Sequence, residues 1–148
     1  KPIMYGLATD DSHNYHLFGS KFSNAGRGWV MVKAGKLNSH ALIQSLEAGR
    51  FYSTTGVEMK SVSFKNNKLS MEIKIESGVE YEIQFIAAGK NDLEAKVVKT
   101  VKGTKAEYRL SKDQLFVRAK VISTKPKKNP YRKGDVEVAW IQPVVFKQ

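Results

Sequence analysis

The run Thr9-Asp10-Asp11-Ser12-His13 sets a carboxylate and an imidazole two residues apart. Carboxylate oxygen and imidazole nitrogen are the donors that suit a divalent ion such as Zn, Mn or Fe. In an extended segment residues i and i+2 face the same way, so Asp11 and His13 are expected to meet at one cation. The same polar run also suits an Asx-type turn carrying a surface histidine. Asp10 can orient His13 through the second ring nitrogen, as ligand histidines require, or it can cap the turn. His16 can reach a substrate or stand as a surface histidine. Arg27, between Gly26 and Gly28, offers a bidentate fork for a phosphate, or pairs with an acid as a loop arginine. Ser53-Thr54-Thr55 lacks the Gly-x-Ser-x-Gly setting of an elbow nucleophile.

The elements expected to place these residues are short. Ile3 to Ala8 reads as a buried strand ending just before the Asp-His run, and a Ser-, Asn- and Gly-rich loop follows to Gly28. Trp29 to Lys33 reads as a second strand. Asn38 or Ser39 can cap a helix whose apolar stripe is Leu42, Ile43 and Leu46. Gly49 stands where a left-handed cap would end it. Phe51 to Gly56 leaves as an extended segment. Strand, loop, strand, helix is the texture of an α/β unit.

From Val57 onward the period changes to two. Leu69, Met71, Ile73 and Ile75 alternate with Ser70, Glu72, Lys74 and Glu76, and Val79, Tyr81, Ile83 and Phe85 repeat the pattern. Asn66-Asn67, Ser77-Gly78 and Gly89 to Asp92 punctuate the runs with turn chemistry. Further strands are expected at 60–64, 95–101, 105–110, 115–122 and 136–142, with Trp140 in the core. The expected fold class is α+β, mainly β. A partial α/β segment over residues 1–56 precedes an antiparallel β-sandwich over residues 57–148.

Three stretches occur in order at close spacing: Ala8-Thr-Asp-Asp-Ser-His-Asn-Tyr15, Gly26-Arg-Gly-Trp-Val-Met-Val-Lys33 and Leu46-Glu-Ala-Gly-Arg-Phe-Tyr-Ser-Thr-Thr-Gly56. Together they resemble the last segment of the PHP (polymerase and histidinol phosphatase) family of metal-dependent phosphoesterases. Ala139-Trp-Ile-Gln-Pro143 is similar to the ending of relatives that append a β-rich domain to the PHP barrel. The resemblance implies a distorted α/β barrel whose site holds two or three metal ions and hydrolyses phosphoesters or, in some relatives, other esters. The family closes its ligand set with Asp-x-His, which Asp11 and His13 match position for position. Its other ligands, an early His-x-His with further acids and histidines, lie upstream of this motif and are not among the residues of this chain. Two donors fall short of the three that a catalytic zinc site takes. The expectation is a hydrolase completed by a preceding barrel portion, with this chain alone inactive and at most a weak metal binder.

Composition narrows the partners. The 148 residues contain no cysteine, which excludes a disulfide scaffold, a thiol nucleophile and thiolate metal sites. No apolar run approaches the roughly 20 residues of a membrane span. The chain opens with Lys1-Pro2, which reads as a cut end and leaves the compartment open. Of the net charge of +11, residues 1–56 carry six bases and three acids, and residues 57–148 carry nineteen and eleven. The one dense basic stretch, Lys125-Pro-Lys-Lys-Asn-Pro-Tyr-Arg-Lys133, reads as a surface loop. No basic helix, RNP-like aromatic motif or zinc finger supports a nucleic-acid partner. Two other functions fit the pattern: a non-catalytic sandwich that binds carbohydrate or protein, and an anion binder working through the 125–133 loop.

Overall fold

Alternation at period two can satisfy its apolar face only by pairing with a second such surface, and residues 57 onward do so. A computed structural model describes residues 3–147. In chain order it contains β1 (Trp29–Val32), α1 (Ser39–Glu47), β2 (Phe51–Thr54), β3 (Met59–Lys65), β4 (Lys68–Ile73) and β5 (Tyr81–Gly89). These are followed by β6 (Lys96–Lys102), β7 (Lys105–Arg109), β8 (Gln114–Pro126) and β9 (Val136–Val144). All pairings are antiparallel. Six strands form one sheet in the order β1-β2-β9-β8-β5-β6, and three form another in the order β3-β4-β7. The fold is α+β and mainly β, with two antiparallel sheets and one helix among the described residues. No helix among the described residues is long and apolar enough to cross a membrane.

The core lies between the sheets. Leu69, Met71 and Ile73 of β4 cluster with Ile83 and Phe85 of β5, Val117 and Val121 of β8, and Ile141 of β9. The Phe85 ring stacks on Tyr108 of β7, with centroids 5.4 Å apart. Burying a side chain of this size contributes about 1.5–3 kcal/mol before entropy is counted. Asn66 and Asn67 both take positive φ, 49° and 56°, as the tight turn of the β3–β4 hairpin demands. Trp140 corrects its expectation. Ala139 and Ile141 occupy the core side of β9, so Trp140 lies half-buried on the outer face, opposite Ser53 and Lys120.

The α/β-like beginning joins the same sheet. Tyr52 pairs with Ile141 and Thr54 with Ala139, and β1 adds beyond β2. The boundary read at 56/57 therefore falls on the link between β2 and β3, with the large sheet running across it. Asn38 caps α1 by accepting from the Ala41 amide at 2.9 Å. The stripe expected on α1 is only partly covered: Leu42 and Leu46 are half-buried and Ile43 is exposed.

The strand expected over Ile3 to Ala8 is absent. That segment crosses the outer face of β2 and β9 and is bonded by side chains in place of a ladder. The Gln142 amide accepts from Gly6 N at 3.0 Å and donates to Gly6 O at 2.8 Å, as a neighbouring strand would. Ser53 Oγ donates to Gly6 O and accepts from Ala8 N.

Candidate functional site

The loop from Thr9 to Gly28 is built around two polar anchors. The first is Asp10, whose Oδ1 accepts from the amides of Arg27 at 2.5 Å and Gly28 at 2.6 Å, while Oδ2 accepts from Gly26 at 2.8 Å. Three successive amides can turn toward one carboxylate because Gly26 takes φ +79°, a conformation open to glycine at little cost. Burial pushes the Asp10 carboxyl up, but these amide bonds and the Arg27 charge outweigh it and hold it below the usual carboxylate range. Asp10 thus caps the loop; its oxygens serve residues 26–28 and not the His13 ring.

The second anchor is Asn24, fully buried. Its amide nitrogen donates to Asn14 O and Leu17 O, and its Oδ1 accepts from Gly19 N. Asn14 Oδ1 in turn accepts from Ser23 N, and Ser23 O receives the amides of His13 and Asn14, each at 2.9 Å. The backbone under His13 is therefore fixed from two sides.

Asp11 and His13 do meet, by a route other than an extended segment. Asp11 has a left-handed backbone, φ 48°, and the two side chains come together around the turn. His13 Nδ1–H donates to Asp11 O at 2.6 Å, and Nε2 lies 4.0 Å from Asp11 Oδ1. With the hydrogen on Nδ1, Nε2 presents its lone pair outward beside the carboxylate, the arrangement that orients metal-binding histidines. An ion about 2.1 Å from each donor at a tetrahedral angle would span them at about 3.4 Å, a small closure from the observed gap. Both side chains are open to solvent, 91% for Asp11 and 68% for His13. No group of three or more His, Cys, Asp or Glu that could hold a metal occurs among the described residues. The donor set therefore fits two positions of a metal's coordination shell. No family model, curated protein or solved structure matches the chain.

Arg27 does neither of the things its spacing suggested. Its Nη1 donates to Phe22 O at 2.6 Å and its Nη2 to Gly19 O at 2.9 Å. Nε donates to Asn129 O at 3.2 Å and Nη2 also reaches Asn129 Oδ1 at 3.3 Å. The guanidinium lies 5.6 Å from the centre of the Tyr131 ring. It is a clamp that fastens the 9–28 loop to the basic 125–133 loop, with no acid in the pairing and no fork left for phosphate. His16 is exposed and outside this network.

The basic loop is itself partly neutralised. Lys125 Nζ lies 2.6 Å from Glu76 and 3.4 Å from Glu137, and the Glu76 bond above all holds its pKa above the usual lysine range. Asp135 accepts from Arg132 N and bridges back to Lys127 through its carbonyl. Sequence reasoning missed Asn24, Asn129, Tyr131 and Gln142. Their signal was slight: isolated amides, and one tyrosine inside a basic run.

Proposed function

We propose that this chain is the closing part of a PHP-like metal-dependent phosphoesterase, in which Asp11 and His13 are the last pair of metal donors. The observation that carries the reading is the His13 ring, tied through Nδ1 to Asp11 O with Nε2 directed outward beside the Asp11 carboxylate. A divalent ion of the Zn, Mn or Fe class, when bound, supplies Lewis acidity toward a phosphoryl or other ester oxygen and lowers the pKa of its water. The chain's own residues hold and orient. Asp11 and His13 donate, Asp10 fixes the loop that bears them, and Arg27 locks that loop against the sandwich.

The remaining donors belong to a preceding barrel portion. Met4, Leu7, Leu17, Phe18 and Ile43 are all exposed, and they lie on the same part of the chain as the donor pair. Apolar surface of that kind favours burial against further protein. A carbohydrate-binding sandwich would display rings on a sheet face. Tyr81 and Phe85 point into the core instead, the exposed Tyr131 lies in a loop beside Arg27, and Trp140 on the outer face of the large sheet is half-buried among its neighbours.

The test is a Mn2+ titration of the 15N-labelled chain. Weak binding should broaden the amides around Asp11 and His13 first, and His13→Ala should abolish that focus. Broadening centred elsewhere, or unchanged in the variant, would overturn the assignment. The chain alone should show no metal-dependent turnover of bis(p-nitrophenyl) phosphate.

A further inference from the structure

The two sheets differ in width, six strands against three. Directly paired residues share a face, so Met31, Tyr52 and Ile141, aligned across β1, β2 and β9, all lie on the core side of the large sheet. The small sheet does not reach that far, and Trp29 and Met31 are left partly exposed on a side that faces inward. The nearest element of the small sheet is β3, whose only strand partner among the described residues is β4. Between β3 and the uncovered strip runs a groove of about 840 Å3.

Its lining has a consistent chemistry. Met31, Tyr52, Val62, Phe64 and Val145 provide an apolar floor. Lys33, Arg50, Lys60, Lys65 and Lys147 are the charged residues that line it, and no Asp or Glu is among them. Lys60 is paired with Glu72 at 3.0 Å, and the other four are in no ion pair among the described residues. Lys147 is held in place by its backbone, which exchanges two hydrogen bonds with the Asn67 side chain at 2.7 and 2.8 Å. At the start of β3 the Met59 amide donates to Tyr52 Oη at 2.9 Å, and Lys60 to Lys65 leave about 20 Å of edge with no strand beside it among the described residues.

We propose that this groove binds an extended acidic peptide of another protein, which adds as a strand to the free edge of β3. Strand addition uses the unpaired main-chain groups of an edge, and alternate side chains set the specificity. Here one set of peptide side chains enters the apolar floor and the other meets the lysines of the rim. A second copy of this chain is the wrong occupant. It would bring the same lysines and a net charge of +11 to the interface. The β3 edge also carries Lys60 and Lys65, whose charge repels a like edge and suits an acidic strand. The proposal rests on the groove alone and is independent of the metal reading.

The experiment uses a fluorescein-labelled peptide of alternating valine and glutamate, measured by anisotropy against the full chain. Binding should perturb the amides of Met59–Lys65 and weaken as salt rises. A peptide with every second amide N-methylated, which keeps its charge but cannot extend a sheet, should not bind. The double variant Lys33→Glu, Lys147→Glu should bind about 10-fold more weakly, as expected for the loss of two exposed charge contacts. Four results would overturn the proposal. These are no binding of the acidic peptide, equal binding of the N-methylated one, equal or tighter binding of an oligothymidylate, or perturbations centred away from β3.

Discussion

Ile83, Phe85, Val117 and Val121 close the interior of the sandwich with no exposed surface, whereas the 9–28 loop closes around Asn24, an amide buried just as completely. The first interior is apolar and made by strands distant in sequence. The second is a knot of hydrogen bonds among residues 10–28, fastened directly through Arg27 to Asn129 and, by way of the adjoining Gly6 to Ala8, through Ser53 and Gln142. Apolar burial is non-directional and tolerates small shifts, while a polar knot fails in steps as partners are lost. The sandwich should therefore respond to mutation as one cooperative body and the loop as a local one.

Phe85→Ala should make the largest difference, costing about 3–5 kcal/mol and unfolding both regions together in a denaturant titration. If the loop amides kept their protection while the sandwich melted, the dependence of the loop on the sandwich would be disproved. Gly56→Ala should come next. A methyl group there would run into the Glu137 carboxyl carbon, on a backbone with φ +151°, and Glu137 is buried beside Lys125. The expected loss is about 1–3 kcal/mol in thermal or denaturant stability. Arg27→Ala should leave the midpoint of global unfolding nearly unchanged while hydrogen exchange accelerates in residues 10–28, with about 1–3 kcal/mol of local protection lost. A matching fall in global stability would erase the distinction between the two regions.

Acid should act on the loop in the same direction. Asp10 has a native pKa below its ordinary value of 3.8, so its contribution is complete above that value and is lost as pH falls through the lower native one. Amide exchange in residues 26–28 should stay protected at pH 5 and open under strong acid, and Asp10→Asn should remove the effect. Smallest of all, Ile43→Lys on the exposed face of α1 should change stability by no more than about 0.5 kcal/mol. A large loss would mean that this face is already buried in solution.

The contrast also explains what the amino-acid order reveals. Alternation exposed all seven strands after residue 57, because side-chain period follows directly from strand geometry. It does not say which side of β9 faces inward: residue size favours Trp140 for the core, whereas small Ala139 occupies that side. Ile3 to Ala8 has the composition of a strand, but Gln142 and Ser53 take up its backbone bonds from more than 40 residues away. Asp11 and His13 were legible as a pair from spacing, while the left-handed turn that brings them together was not. The acceptors of Arg27 are mostly main-chain carbonyls, which leave no trace in residue type.

The Gln142 clasp on Gly6 has a consequence for the order of events at the ribosome. The earliest residues of this segment receive their partners last, since Asn129 and Gln142 emerge long after Arg27 and Gly6. Until the final strand is made, the 9–28 loop has its own hydrogen bonds and those of the adjoining segment to Ser53 but not yet both Asn129 and Gln142, so the turn bearing Asp11 and His13 is fully fastened only as translation of β9 finishes.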